Sequence, residues 1–162
     1  GGRSLQDKKL SVQICAAEMA LKGVTACYDL YAEAPIPSVE GVDAAAEAYA
    51  EVGLRAVIAP MVADRTVFDA IPGLMDALPD ALKSRIDSIR PAPFDATLGV
   101  MAEILRGWRW GSADIRPAVA PTIPLHCADE FMCGCQRLAD EHGVGLHSHV
   151  GESKLQALAG IE

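Results

Sequence analysis

The sequence predicts an α/β fold, namely a partial TIM-type (β/α)8 barrel with about four parallel βα units. Short β-prone runs alternate with segments of helical periodicity, and a glycine ends three of the helices, at Gly23, Gly53 and Gly143. Strands separated by helices of this length pair in parallel through right-handed crossovers. A doubly wound sheet shares this alternation, but no glycine-rich phosphate motif follows any predicted strand, so the barrel is favoured.

The first two units begin the chain. One helix ends at Gly23 and is followed by a strand at 24–28; its predicted apolar face consists of Leu10, Ile14, Ala17 and Leu21. The same pattern returns with a helix over 42–52, a stop at Gly53 and a buried strand over 54–59.

A connecting excursion precedes the third strand. Pro72 and Pro79 interrupt residues 66–90, so one or two short helices are expected there. A cleaner helix over 94–105 then leads to a strand at 114–120.

The fourth unit ends the chain. A helix over 131–142 stops at Gly143, a strand follows at 144–149, and a further helix begins within 152–161. Four units are about half of a barrel that usually takes roughly 250 residues. Because the chain starts at Gly1 without methionine and stops inside an apparent helix, we expect it to be a fragment.

Composition narrows the functional classes. The chain has 162 residues, of which 51% are hydrophobic, which is enough for one sizeable core. Its formal net charge of -8 with scattered basic residues argues against nucleic acid and anionic membranes as partners. The absence of a long apolar run, a signal peptide and C-x-x-C spacing among the five cysteines predicts reduced thiols and a cytoplasmic location.

The most specific motif is the segment His147-Ser148-His149-Val150-Gly151-Glu152, predicted to lie where the fourth strand gives way to a loop. Side chains alternate along a strand, so His147 and His149 project to the same side. Chemistry in parallel α/β folds gathers at the carboxyl ends of strands, where Glu152 could reach a water held by a metal on His149. The residues alone leave two interpretations open: a metal or acid–base site, or polar residues at a strand end.

Other polar residues have structural interpretations. Cys133 and Cys135 would point about 200° apart on a helix, so they cannot chelate one ion together. Asp29 ends the first strand and either touches the site or orients the next loop. His142 lies at a helix C-terminus, where the helix dipole stabilises a positive charge, so its interpretation is structural.

Two segments also carry a family resemblance. Residues 120–130, Ala-Pro-Thr-Ile-Pro-Leu-His-Cys-Ala-Asp-Glu, followed by the His-x-His-x-x-Glu segment, resemble the amidohydrolase superfamily. More narrowly, they are similar to the branch of nucleobase and adenosylhomocysteine deaminases and triazine hydrolases. Residues 23–29 and 53–57 look like that branch's second and third barrel strands. The resemblance covers nearly the whole chain and implies that 1–162 is part of a metal-dependent hydrolase barrel domain.

The resemblance implies roles for individual residues. His149 would bind a catalytic divalent metal, zinc or alternatively iron, and Glu152 would move a proton between water and a substrate ring nitrogen. His147 matches a position that is not usually a ligand. The implied function is metal-dependent hydrolysis of a C–N or similar bond in a small amidine-like or ring substrate, as in deaminases.

The chain also departs from the family pattern. A His-x-His pair on the first strand, a histidine on the sixth and an aspartate on the eighth are expected, and none is in this sequence. Because zinc needs about three protein ligands, we expect the chain alone to be inactive and without stoichiometric zinc.

The end of the third strand seen here, the fourth of a full barrel, bears on the substrate. At this point the resemblance to the adenosylhomocysteine-type deaminases of the branch implies Ala-Pro-His, whereas this chain has Thr122 in place of the histidine. The loss of that imidazole argues against adenosine-derived substrates. Thr122 and His126 are candidate substrate contacts. The alternative is a threonine lining a loop and a histidine flanking the helix that starts near Ala128.

Two rival functions stay open. The chain is either part of a hydrolase acting on a small-molecule substrate or a non-catalytic half-barrel fragment or interaction module without a complete metal site. In the second case a partner would pair the exposed sheet edges, and a homo-oligomer is open in both. A lyase or aldolase ranks last, because no lysine lies in the predicted strands.

Overall fold

The chain folds into a parallel β-sheet with helices packed against one face. The computed structural model describes residues 3–111 and 113–160. The strands are β1 (Ala26–Asp29), β2 (Arg55–Ile58), β3 (Met61–Val62), β4 (Ile115–Pro121) and β5 (Gly145–Leu146). The helices are α1 (Leu5–Leu21), α2 (Val39–Val52), α3 (Val67–Ala70), α4 (Leu74–Ala77), α5 (Asp80–Asp87), α6 (Phe94–Arg106), α7 (Asp129–His142) and α8 (Lys154–Ala159), with a 3₁₀ turn at Pro124–His126.

The second strand is interrupted by a proline. β2 and β3 both pair in parallel with β4, and the register of Ala56 with Ile115 continues without a shift to that of Met61 with Ala120. The two segments are therefore one strand, broken at Pro60, which has no N–H to donate to the ladder.

The strand order identifies the architecture. β1 pairs with β2, β2 and β3 with β4, and β4 with β5, all in parallel. Each new strand is added on the same side of the one before, whereas a doubly wound sheet reverses its order at a switch point. The topology is that of a (β/α)8 barrel segment, as predicted.

The two faces of the sheet differ in side-chain size. The main core lies between the sheet and the helices and includes the fully buried Phe131, Met101 and Val42. The buried residues of a second cluster on the opposite face are small, namely Ala59, Ala118 and Ala120, and the partly buried Leu30, Val57 and Met61 pack against them. Short side chains leave room on this face for the residues at the strand ends.

The predicted face of α1 is wrong. Ala16 is fully buried, with Val12 and Met19 packed against the core, whereas Leu10 and Ile14 are 52% and 59% exposed. Val12, Ala16 and Met19 also follow helical spacing. The small Ala16 side chain permits close approach to α2, the element against which α1 packs.

Two further details differ from expectation. The connecting segment forms three short helices, α3, α4 and α5, rather than one or two, and the last strand ends at Leu146 instead of residue 149. The final helix begins within the expected range, at Lys154, where the Ser153 side chain caps it by accepting from the Gln156 N–H. Within the described ranges, no helix is both long and apolar enough to cross a membrane.

Candidate active site

The candidate site lies at the carboxyl ends of the strands. A cavity of about 530 Å³ opens between the start of α1, the loop after β1 and the end of β4, where Thr122 forms part of its wall. Thr122 also lines a neighbouring cavity of about 170 Å³. This is the edge at which parallel α/β folds gather ligands.

A bulge sets the path of the histidine segment. The His147 N–H donates to the Val119 carbonyl and the His149 N–H donates to the Thr122 carbonyl, both at 2.9 Å. A regular ladder would bring the second bond to Pro121, so the β4 side has one extra residue, as in a β-bulge. The bulge places the Thr122 carbonyl beside the His149 ring.

The His149 ring is anchored by the same carbonyl. Its Nδ1 lies 3.0 Å from the Thr122 oxygen. Because a carbonyl oxygen can only accept, Nδ1 donates its proton, and in the neutral ring Nε2 has a free lone pair. The Ser148 hydroxyl donates to the same oxygen at 3.4 Å.

The structure brings the two strand-end imidazoles together. The His147 and His149 ring centroids are 5.7 Å apart in an edge-to-face arrangement. Tyr28 on β1 stacks on His147 at 4.8 Å, a contact that the sequence reasoning missed. Side chains alternate along β1, so Tyr28 and Asp29 lie on opposite faces of the sheet, and this pattern could have indicated the contact.

Thr122 presents an unpaired hydroxyl. Within the described part of the chain, its Oγ1 is buried and has no hydrogen-bond partner. Buried polar atoms are nearly always hydrogen-bonded, so such an atom in a cavity wall invites a ligand group or water.

Glu152 lies in the loop between β5 and α8. Its backbone N–H donates to the Gln156 side-chain oxygen at 2.8 Å, which holds the loop against the start of α8. The residue is exposed to solvent, and among the described contacts none joins its carboxylate to His149.

His126 ends the 3₁₀ turn after β4. Its carbonyl accepts from the Arg65 N–H at 3.0 Å, and burial lowers the pKa of its imidazole. The side chain that contacts the start of α7 is that of Asp64 and not that of His126: the Asp64 carboxylate accepts from the Ala128 N–H at 2.8 Å. Asp64 therefore orients the loop that presents His126.

Glu33 organises the loop on the other side of the cavity. It forms an ion pair with Lys8 and accepts from the Tyr31 hydroxyl at 3.0 Å and from the Ser38 N–H at 3.1 Å. Burial opposes ionisation, but the hydrogen bonds from Lys8, Ser38 and Tyr31 outweigh it and hold the pKa of Glu33 below its ordinary value. No sequence motif signalled this residue.

The remaining polar candidates are not among the residues that line the two cavities, and neither are His126, His149 and Glu152. Asp29 accepts from the Tyr49 hydroxyl on α2 at 3.0 Å, and burial raises the pKa of its carboxyl. Cys133 is exposed while Cys135 is buried, as their helical spacing predicts. Across 3–111 and 113–160, no group of three or more His, Cys, Asp or Glu is placed to hold a metal ion.

Sequence comparisons find deaminases. The model of the amidohydrolase family matches residues 4–158. The 5'-deoxyadenosine deaminase of Methanopyrus kandleri is 31% identical over 140 residues, which cover 86% of this chain and 25% of that protein. The 5-methylthioadenosine/S-adenosylhomocysteine deaminase of Symbiobacterium thermophilum is 30% identical over 141 residues, with the same coverage. The chain thus spans about a quarter of the length of these curated relatives.

Structural comparisons find barrel enzymes. An adenosine deaminase from Xanthomonas campestris with bound zinc has a TM-score of 0.69 at 19% identity, over 99% of this chain and 30% of that one. Atrazine chlorohydrolase from Arthrobacter aurescens TC1, complexed with zinc, has a TM-score of 0.67 at 18% identity, over 90% and 30%. At these identities the likeness concerns the fold, and it confirms the partial barrel.

Proposed function

This chain belongs to the amidohydrolase family, and from that premise we propose that it forms one wall of the active site of a metal-dependent, deaminase-type hydrolase. The proposed reaction is hydrolysis of a C–N or similar bond in a small amidine-like or ring substrate. One observation carries the proposal: the His149 Nδ1–H donates to the Thr122 carbonyl at 3.0 Å, which leaves Nε2 free. Metal-binding histidines commonly donate their second ring N–H to a carbonyl or carboxylate.

His149 is the proposed ligand of a divalent metal through Nε2. Imidazole suits zinc and iron alike, and the zinc in two structurally similar enzymes favours zinc. A bound zinc ion would lower the pKa of a water to about 7. Zinc needs about three protein ligands, and no group of three or more candidate donors is found among the described residues, so the proposed site requires donors in addition to His149.

Glu152 is the proposed proton carrier. It follows His149 by three residues, and its exposed carboxylate is free to take a proton from water and return it to a substrate nitrogen. The bond from its own N–H to Gln156 fixes the loop without engaging the carboxylate.

Thr122 and His126 are the proposed substrate contacts. The buried, unpaired Thr122 hydroxyl can both donate and accept a hydrogen bond. Because burial lowers its pKa, the His126 imidazole is neutral near physiological pH and can do the same. Such groups suit the ring nitrogens and amino groups of a small heterocycle.

A zinc titration of the 162-residue chain, followed by NMR of the histidine side chains, tests the ligand role. Zinc should shift the His149 Nε2 resonance with weak affinity, and dialysis should remove the metal. The same shift should appear in the control His142→Gln, which changes a histidine at the end of α7. In His149→Gln the remaining histidines should show no zinc-dependent shift of comparable size and affinity. Zinc shifts at those histidines as large as the wild-type His149 shift, or no shift of His149 itself, would contradict the ligand role, and one tightly bound zinc per chain would contradict an incomplete site.

The proton-transfer role requires a longer protein that contains this segment and binds metal. There Glu152→Gln should lower kcat about 10²-fold or more while metal content stays constant. The matched control Glu141→Gln changes an exposed carboxylate on α7 and should leave kcat unchanged. An unaltered rate in Glu152→Gln removes this residue from the mechanism.

The rival function, a non-catalytic half-barrel module, is favoured by the exposed apolar stripe on α1. Leu10, Ile14 and Leu21 are 52%, 59% and 89% exposed. The module predicts concentration-dependent association in sedimentation experiments that Ile14→Ser weakens, together with no zinc effect on His149. A zinc-responsive His149 in a monomeric chain would exclude it.

A further inference from the structure

We propose that Tyr28 and His147 are positioning residues whose packed rings hold the His149 imidazole in its ligand orientation; this rests on the function proposed for His149. The three rings form a continuous row. Tyr28 lies 4.8 Å from His147 with an interplanar angle of 33°, and His147 lies 5.7 Å from His149 at 79°. Offset-stacked and edge-to-face contacts are the arrangements that ring quadrupoles favour.

The row joins two distant parts of the sheet. Tyr28 is on β1, while His147 and His149 follow β5, and β1 and β5 are separated by the strands between them. Curvature of the sheet brings Tyr28 across the face lined by small alanines. A Cβ built on Gly145 would stand 3.7 Å from the Tyr28 hydroxyl, so the phenol ring lies along β5 from Gly145 to His147.

The hydrogen bond to Thr122 does not by itself restrain His149. Rotation about the bond between Cβ and the ring is broad in histidine, so the ring can turn away from a single acceptor. Contact with the His147 ring limits that rotation. His147 in turn is only partly buried, and Tyr28 is the aromatic ring packed against it.

Exposure supports a role beyond core packing. Tyr28 is 45% exposed, and its ring lies on the face away from the main core. Removing it should therefore change the local ring geometry more than the stability of the fold. This separates a positioning role from a structural one.

The test is long-range ¹H–¹⁵N NMR of the metal-free chain at a pH well above the ordinary histidine pKa of about 6.5. In the wild type, His149 should be in a single Nδ1–H tautomer. Tyr28→Leu should shift it to a mixture of both tautomers, whereas Tyr28→Phe, which keeps the ring, should not. The proposal is overturned if Tyr28→Leu retains a single Nδ1–H tautomer of His149, or if Tyr28→Phe loses that tautomer to the same extent as Tyr28→Leu.

Matched variants control for indirect effects. Leu146→Ala removes apolar bulk from β5 next to His147, on the opposite face, and should leave the tautomer unchanged. His147→Phe should preserve the single Nδ1–H tautomer of His149, whereas His147→Ala should not. This pair of variants provides a second test if Tyr28→Leu does not fold. Loss of the tautomer in Leu146→Ala or in His147→Phe would refute positioning by ring contact. The tautomer is measured on the metal-free chain. A failed zinc titration would therefore refute the ligand role of His149 without affecting the interpretation of the tautomer measurement.

Discussion

Gly41 provides a quantitative test of the Glu33 network. It occupies the first turn of α2, where alanine would ordinarily improve helix stability by about 0.5 to 1 kcal/mol. Here a Cβ would lie 2.5 Å from the Tyr31 hydroxyl and 2.7 Å from Ser38 Oγ, and it would overlap Glu33 Oε2. Gly41→Ala must therefore push the Glu33 carboxylate out of its place.

The cost can be worked from the contacts that are lost. Displacing Glu33 weakens at least one hydrogen bond to a charged group, worth about 1.5 to 3 kcal/mol. Moving Ser38, whose Oγ accepts from the Gly41 N–H at 3.1 Å, impairs the N-cap at about 1 kcal/mol. After subtracting the gain in propensity, Gly41→Ala should destabilise the chain by about 2 to 3 kcal/mol and lower Tm by roughly 5 to 10 °C.

Urea unfolding followed by circular dichroism measures the effect. The matched control is Gly99→Ala, an exposed position within α6 where a Cβ meets nothing within 4 Å; it should gain about 0.5 to 1 kcal/mol. Because the folded-state pKa of Glu33 is lowered, its contribution is present above the ordinary carboxyl pKa and is lost as pH falls through the folded value. The Gly41→Ala penalty should shrink in acid. Equal or greater stability of Gly41→Ala at neutral pH would refute this reasoning.

Two further predictions concern buried polar groups. Tyr49→Phe removes the hydroxyl that donates to Asp29 and should cost about 1 to 3 kcal/mol at neutral pH. Burial raises the folded-state pKa of Asp29, and losing the bond from Tyr49 raises this pKa further, so the stability penalty should grow as pH rises through the folded-state pKa. Urea midpoints of the wild type and Tyr49→Phe at acidic and neutral pH measure this change. A penalty that does not depend on pH would be inconsistent with the predicted role of the bond. Burial raises the pKa of Cys135 to about 12, so iodoacetamide should label the exposed Cys133 of the folded chain well before Cys135; mass spectrometry showing equal rates would contradict the burial of Cys135 in α7.

Local features of the fold could be predicted because they depend on local chemistry. Gly53 and Gly143 end their helices with φ of 80° and 63°, a conformation that glycine adopts at little cost. The strand period of two predicted that His147 and His149 share one side, and their ring centroids do lie 5.7 Å apart, although both residues follow the end of β5. These properties require no knowledge of what packs against the segment.

The buried face of α1 could not be predicted, since two stripes satisfy the same helical spacing. Hydrophobicity selects the one containing Leu10 and Ile14, whereas packing selects the one containing Ala16. The decision rests on α2, whose alanines admit a close neighbour. A single-helix pattern does not contain that information.

The site was only partly predictable for a similar reason. The motif identified His149 and Glu152 as candidates, but the bulge at the end of β4 and the contact from Tyr28 depend on strands distant in sequence. The Glu33 network likewise joins α1, the loop after β1 and the start of α2. Such side-chain networks depend on tertiary geometry.

The bond between His149 and Thr122 has an evolutionary consequence. The acceptor is a main-chain carbonyl, which every amino acid at position 122 would supply. The side chain at that position can thus be exchanged without releasing the histidine ring. A lineage could in this way change the side chain at position 122, which the proposed function places in contact with the substrate, and keep the neighbouring imidazole in place.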